Sequence, residues 1–452
     1  MSGRAPLRGD ETPAIVARPP GPRSRAAAKR LRRAEGAAIW GGDVAPIVWK
    51  RAKGSVVEDL DGNRYVDLTG GFGVAWLGHA APAVRRAVAA QAGRLVQGLG
   101  DLQPHVGRER LVRRLSALGG ALSKVLLAST GSEAVELALR TAAIATGRRR
   151  FVAFEGGYHG QSGLALEATH FPPPPAISRP DGPPRAIHVP YPDRARCAVR
   201  RPCEGCDLAC LEAGWKRVER ECDGPDPPGA VIVEPIQGRA GVLVPPPEFL
   251  PRVAALARAR GMIVIWDEIM TGAGRTGPMW AWERSGPAAE PDLLTAGKGI
   301  GGGVAIAALL GKPDVMEAWA SVAPASGESP FASTFYAHPI ACAGALAALD
   351  RIAAPETRSE VERKGRLLHE ALERAVAGAP GWEARGVGLM AALAAPRRPG
   401  AGVALASRLL ARGVLGIPGG LDGAVLSMLP AITIREEQLG AAASAIRAAR
   451  DA

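Results

Sequence analysis

Lys298 stands in the run Gly297-Lys298-Gly299-Ile300-Gly301-Gly302-Gly303, directly after the apolar stretch Leu293-Leu294-Thr295-Ala296. A lysine so placed is poorly explained as a surface charge. Its amine is a weak nucleophile while protonated, and a confined site that also holds cations lowers its pKa enough to let it form a Schiff base. The flanking glycines let a flat ligand lie against backbone. The other familiar lysine in a glycine loop, that of the phosphate loop, is followed by Ser or Thr, and here Gly299 follows.

Asp267 closes Met262-Ile263-Val264-Ile265-Trp266, the most apolar run in the chain. A carboxylate there is costly unless it is paired. It serves either as a helix cap or ion-pair partner, or as the anion that keeps a pyridinium nitrogen protonated and so preserves an electron sink. Gly131-Ser132-Glu133-Ala134 follows a third apolar run and opens a helix. Its free N–H groups and positive helix end suit a phosphate, or Ser132 simply caps the helix. Amine, carboxylate and anion site together point to pyridoxal 5′-phosphate (PLP). Gly272-x-Gly274-x-x-Gly277 formally matches a dinucleotide fingerprint. A nucleotide-binding oxidoreductase is therefore the competing reading, although Glu268 to Thr271 delay the first glycine and Pro278-Met279-Trp280 does not open a clear helix.

The elements that must position these groups form a repeating theme. Lys124–Leu127, Phe151–Phe154, Ala230–Val233, Met262–Trp266 and Leu293–Ala296 are unalternated apolar runs, each ending in polar or Gly-bearing text that includes Glu234, Asp267 and Lys298. Such runs fit strands covered on both faces, as in parallel sheets, with helical text at 132–145 and 248–260 as crossovers. Chemistry then collects beyond the strand C-termini. Earlier, Asp61-Gly62 predicts a hairpin turn between Val56-Val57 and Tyr65–Leu68.

In this order and spacing the motifs resemble the class-III, or ω-amino-acid, aminotransferase family of fold-type-I PLP enzymes. The resemblance runs from about Asp59 to about Glu436. It rests on Asp61-Gly62, Gly78-His79, Gly131-Ser132-Glu133-Ala134, Gly157-Tyr158-His159-Gly160 and Glu234-Pro235-Ile236-Gln237-Gly238. It continues through Asp267-Glu268-Ile269, Thr271-Gly272, Gly274-Arg275-Thr276-Gly277, Pro291-Asp292, Gly297-Lys298-Gly299 and Ser333-Thr334-Phe335.

The resemblance implies an α/β fold with a large domain, a mostly parallel sheet flanked by helices, and a smaller α+β domain drawn from both termini. It implies an imine at Lys298, which then shuttles a proton, and Asp267 at the ring nitrogen. Gly131 and Ser132 hold the phosphate, Tyr158 and Ile269 lie on opposite ring faces, Gln237 is near the ring hydroxyl, and Glu234 borders the substrate. Thr334 reaches the phosphate of a neighbouring subunit, so a homodimer with shared sites is expected. The expected reaction moves an amino group from an amine or ω-amino acid to a keto acid. An aminomutase, racemase or decarboxylase begins from the same imine. Ser427, in Ser427-Met428-Leu429-Pro430, stands where relatives that use 2-oxoglutarate carry arginine. The acceptor is therefore expected to be a smaller keto acid or an aldehyde, unless another arginine, with Arg275, Arg385 and Arg412 as candidates, compensates.

The length of 452 residues, with 47% apolar and 22% charged residues, suits two or three packed units. The reading is residues 1–36 as a basic tail, 37–79 as the first part of the small domain, 80–345 as the large domain, and 346–452 as the rest of the small domain. Within the large domain, 171–229 reads as a Pro- and Cys-rich excursion. Half of the net charge of +12 lies in residues 1–36, with nine Lys/Arg against three Asp/Glu. No aromatic residue precedes Trp40 to stack on a base, so a solvated or partner-wrapping tail is expected rather than a nucleic-acid arm. No membrane span or secretory signal is visible, and a cytoplasmic enzyme is the expectation. Cys197, Cys203, Cys206 and Cys210 have a spacing that permits a structural Zn²⁺ or iron–sulfur site; reduced thiols or a disulfide are the alternatives.

Overall fold

The computed structural model describes residues 6–36, 46–171, 184–199, 206–331 and 333–450. Two compact units emerge: Met1–Pro82 with Glu360–Ala452, and Ala83–Ser359. The divisions thus fall at 82/83 and 359/360, not at 79/80 and 345/346. The second shift has a packing cause. Helix Pro339–Ile352 buries Cys342, Ala345 and Leu349, and residues of the larger unit close on it: a Cβ at Gly344 would touch Val304, and one at Gly302 would touch Ala348.

The larger unit is built on a seven-stranded sheet. Its spatial order is Lys124–Ala128, Ala307–Gly311, Leu293–Ala296, Ile263–Asp267, Pro228–Val233, Arg150–Phe154 and Ala186–Val189. Ala307–Gly311 is antiparallel to both of its neighbours, and the remaining adjacent pairs are parallel. The five runs read from sequence are all strands here. They lack alternation because both faces are covered. Phe151, Ala230, Ile232, Ile265 and Leu309 face one core, shared with helix Gly131–Thr146. Val152, Phe154, Val231, Val233, Val264 and Trp266 face the other, with helix Phe249–Arg258.

The excursion at 171–229 is only partly an excursion. It supplies the edge strand Ala186–Val189 and helix Ala209–Cys222. Leu211, Trp215 and Val218 recur at helical spacing and bury against the second core with Tyr191. The segment Pro172–Pro175 lies outside the described residues.

In the smaller unit, Val56–Asp59 and Arg64–Asp67 form the expected hairpin, flanked by Trp49–Lys53 and Val414–Leu415. Asp59 organises the turn: its Oδ1 accepts from the N–H groups of Asp61 and Asn63, and its Oδ2 from Tyr65 Oη at 2.7 Å. A second four-stranded sheet runs Glu383–Val387, Met390–Ala394, Val425–Met428, Ile417–Gly419. Ser427 sits within it, opposite Ala392 and Ile417.

Residues 6–36, the described part of the segment 1–36, differ from the tail read in the sequence. Ala14 and Arg64 exchange backbone hydrogen bonds, and Asn63 Oδ1 accepts from the N–H groups of Val16 and Ala17. Pro22–Ala34 is a helix. Its first N–H groups, of Arg23 and Ser24, donate to the carboxylate of Asp61 at 2.8 and 2.9 Å. This is a helix cap supplied from the hairpin turn. Gly21 permits it, because a Cβ there would lie 2.2 Å from Asp61 Cγ. The helix is rich in Arg and has Leu31 as its one large apolar residue, and its anchor lies far away in sequence, so it could not be read locally.

Asp61→Ala removes this cap at a cost of about 1 kcal/mol. Trypsin should then cut within residues 23–33 roughly fivefold faster than in wild type, through more frequent local opening. Equal cleavage rates would mean that the carboxylate does not hold the helix.

Candidate active site

Each candidate side chain leaves the same edge of the large sheet. Lys298 follows strand Leu293–Ala296, and Asp267 ends the neighbouring parallel strand, where it pairs in register with Thr295. Glu234 follows Pro228–Val233, Tyr158 follows Arg150–Phe154, and Gly131 follows Lys124–Ala128. Parallel strands present their C-termini together, so residues far apart in sequence meet. They line a cavity of about 200 Å³ whose walls include Gly131, Ser132, Tyr158, His159, Glu234, Arg239, Asp267, Ile269 and Lys298.

Asp267 is 3% exposed. Its Oδ2 lies 2.7 Å from His159 Nδ1, and its Oδ1 accepts from Thr295 Oγ1 at 3.0 Å and from Ile269 N at 3.1 Å. His159 is fully buried. Burial works against its charged form, but the hydrogen bond and charge of Asp267 outweigh this and raise its pKa. The pair is thus an ion pair in a dry setting. Sequence reading had missed His159; the signal was a buried carboxylate in want of a partner, together with a histidine in Gly157-Tyr158-His159-Gly160.

Lys298 occupies the left-handed region at φ 44°. Such a conformation is strained for a residue with a side chain and persists where packing dictates it. Burial lowers the pKa of its amine, Asp267 and Glu234 oppose this, and Arg239 and Arg275 add to the lowering. The shift is toward the neutral, nucleophilic form.

Helix Gly131–Thr146 is capped by Thr130, whose Oγ1 accepts from Glu133 N at 3.2 Å. Ser132 is therefore not the cap. Its hydroxyl accepts from Gln161 N at 3.2 Å and borders the cavity. Gly131 and Ser132 present first-turn N–H groups beside it, a site for an anion.

Glu234 is 4% exposed, and burial raises its pKa. Both of its oxygens are engaged, Oε1 by Tyr158 N and Oε2 by Gly238 N, each at 2.9 Å. Gln237 is fully buried, its Nε2 donates to Glu155 O at 2.8 Å, and its Oε1 finds no partner among the described residues. Ile269 packs tightly between two glycines: a Cβ at Gly131 would come within 3.0 Å of it, and one at Gly297 within 3.3 Å.

These features fit PLP. An amine, a buried carboxylate and a helix N-terminus on one cavity suit its aldehyde, ring nitrogen and phosphate.

Thr334 does not join this set within the chain. It lies exposed in a turn, and its carbonyl accepts from Gln97 Nε2 at 2.6 Å. Nor do the three arginines singled out from sequence line the cavity. Arg275 is buried in the Gly272–Gly277 turns, its pKa lowered to about 9 by burial. Arg385 pairs with Glu383, and Arg412 donates to the carbonyls of Arg408 and Ala448. The arginine that lines the cavity is Arg239, just beyond Gln237-Gly238.

Two other readings lose their support. Gly272–Gly277 lies in turns followed by the short 3₁₀ stretch Ala281–Ser285, so no helix N-terminus is presented to a dinucleotide pyrophosphate. Among the described residues no group of three or more His, Cys, Asp or Glu could hold a metal. Cys203 lies outside those residues, while Cys197, Cys206 and Cys210 are free thiols. Cys210 packs in the core, where burial, reinforced by Cys206 and Cys197, pushes its thiol up to about 11. The Zn²⁺ or iron–sulfur site expected at Cys197, Cys203, Cys206 and Cys210 is therefore unsupported.

The family model for class-III aminotransferases matches residues 39–449. The chain is 36% identical over 349 residues to an acetylornithine aminotransferase of Methanopyrus kandleri, covering 76% of this chain and 80% of that protein. It is 32% identical over 438 residues to a 4-aminobutyrate aminotransferase of Mycobacterium bovis, covering 94% and 95%. Among solved structures it resembles a PLP-bound amine transaminase from an uncultivated Pseudomonas species. There the TM-score is 0.81 at 28% identity, over 91% of this chain and 97% of that one. The chain belongs to the class-III aminotransferase family and is a PLP-dependent aminotransferase of fold type I.

Proposed function

We propose that Lys298 is the amine that holds PLP in this aminotransferase and carries the substrate proton, with an amine or ω-amino acid as donor and a keto acid as acceptor. The observation that carries this reading is the meeting of Lys298 and Asp267, at the ends of adjacent strands, in one cavity with the N-terminus of helix Gly131–Thr146. PLP, when bound, supplies an electron sink for the carbon that loses its proton.

The chain's residues divide the remaining work. Lys298 Nζ, kept toward its neutral form by burial, takes the proton from the amino-bearing carbon and returns it. Asp267, held by His159 and Thr295, keeps the ring nitrogen protonated. Gly131 and Ser132 bind phosphate with backbone and hydroxyl, Tyr158 and Ile269 flank the ring, Gln237 faces its hydroxyl, and Glu234 borders the substrate.

The functional unit in this reading is a homodimer in which Thr334 serves the partner's phosphate. A surface in the larger unit supports it. Leu95, Val96, Leu99, Leu102 and Val106 are 40–74% exposed, as is Phe335 at 59%. The hydrogen bond from Gln97 to Thr334 brings the two stretches together. An apolar patch of this kind marks an interface. A cytoplasmic setting agrees with the five described cysteines being free thiols. Among the described residues no helix is long and apolar enough to cross a membrane.

Lys298→Ala should abolish turnover with the fold intact. Borohydride reduction of wild type followed by peptide mapping should place pyridoxyl on Lys298, and a label on any other lysine would end this reading. Asp267→Asn should retain PLP yet lose at least about 100-fold in kcat, because a neutral amide cannot hold the ring nitrogen protonated. Near-normal turnover would make Asp267 structural.

Mixed dimers of one Thr334→Ala chain and one Lys298→Ala chain test the shared site. If Thr334 acts across the boundary, the site that keeps Lys298 receives an intact Thr334, and half of the sites bind PLP and turn over as in wild type. Finding no such site would show that Thr334 serves its own subunit.

A further inference from the structure

Thr334 and Phe335 are exposed, while the two residues that follow, Tyr336 and Ala337, are buried. Ala337 sits in the left-handed region at φ 53°, a conformation that an alanine keeps only where its surroundings dictate it. Much of that setting comes from one stretch of chain, residues 97–108. Gln97 Nε2 donates to Thr334 O at 2.6 Å, and Gly100 lies so near that a Cβ there would be 2.7 Å from Ser333 O. The Arg108 guanidinium lies 4.7 Å from the centre of the Tyr336 ring and donates to the carbonyl of Asp101 at 3.2 Å.

His105 joins the two stretches at the strained residue. Its Nε2 lies 2.6 Å from Ala337 O, and its Nδ1 accepts from Arg108 N at 3.2 Å, which makes it the N-cap of helix Val106–Gly119. A backbone N–H can only donate and a carbonyl can only accept. The ring therefore carries its proton on Nε2 and bonds through both nitrogens. A flat ring held at both ends is a stiff link between the start of a helix and the turn. Ala337 O also accepts from Cys342 Sγ at 3.4 Å, but a thiol is the weaker donor.

We propose that His105 is a positioning residue: by holding Ala337 O it sets the place of Thr334, and so the grip of the neighbouring subunit on its PLP phosphate. This rests on the reading in which Thr334 serves the partner's phosphate. The effect of His105 is then felt in the partner's site and not in its own.

Mixed dimers of the holoenzyme test this. Lys298→Ala in one chain leaves a single site that shows the visible band of lysine-bound PLP, and PLP affinity is read from that band. His105→Asn keeps an oxygen to cap the helix but is too short to reach Ala337 O. Placed on the chain that lacks Lys298, it should weaken PLP binding at the surviving site about fivefold, the scale of one lost hydrogen bond. Placed on the chain that keeps Lys298, it should leave the affinity within about twofold of the dimer without it. His105→Gln, whose longer amide can donate to the carbonyl, should recover most of the loss in the first arrangement.

Unchanged affinity in both arrangements, equal loss in both, or loss only where the variant shares a chain with Lys298 would overturn the proposal. Thr334→Ala in the same two arrangements separates its failure from that of the shared site. If Thr334→Ala weakens the first arrangement and His105→Asn does not, only the role of His105 falls. If Thr334→Ala weakens the second arrangement alone, the shared site falls with it.

Discussion

The site depends on a carboxylate that the fold buries. Asp267 ends a strand whose every other residue is apolar, at a position with 3% exposure, and an unpaired charge there costs several kcal/mol. Three donors offset that cost, and they come from three places: Thr295 from the next strand, Ile269 from the turn that follows, and His159 from the loop beyond Arg150–Phe154. The His159 contact spans the intervening strand Pro228–Val233. One buried anion therefore ties together the ends of strands along the edge where the cavity opens. It also sets the protonation of its neighbour, because the charge that raises the pKa of His159 is the charge that His159 stabilises.

Lys298 is placed by a different means. Its φ of 44° costs about 1–2 kcal/mol in a residue bearing a Cβ. The preceding Gly297 lies against Ile269 with no room to spare, so the chain turns sharply as it leaves the strand. Strain at this point is affordable because the strand behind it, Leu293–Ala296, is wholly buried and paired on both sides. The rigid sheet bears the cost, and the amine is delivered to a buried position that pulls its pKa down.

Much of this was legible in the sequence, for a physical reason. Strands covered on both faces lose the alternation of half-exposed strands, so Phe151–Phe154, Ala230–Val233 and Leu293–Ala296 stand out as plain apolar runs, and the polar residue that ends each one is conspicuous. What stayed hidden depends on partners distant in sequence. Helix Pro22–Ala34 is anchored by Asp61, nearly forty residues on. Helix Ala209–Cys222 carries a clear apolar stripe, but its Pro- and Cys-rich surroundings read as loop. The cysteine spacing suggested a metal, whereas Cys210 is spent on the core beside Leu211 and Trp215. His159 could be named only once Asp267 was seen to need a partner.

Ser427 shows the same limit at a single position. Reading Ser427 against an expected arginine asks whether one residue is present. Recognition of an anion depends on the summed charge of the cavity, which several residues can supply. Here the walls bring together two satisfied carboxylates, Asp267 and Glu234, with Lys298, Arg239 and His159, and one carboxylate fixes the turns that carry Tyr158 and Arg239. Glu234 holds Tyr158 N with one oxygen and Gly238 N, next to Arg239, with the other. The positions of the aromatic wall and of the guanidinium are thus coupled through one buried carboxylate. A change that loosens Glu234 disturbs both walls of the cavity together, because each of its oxygens holds one of them.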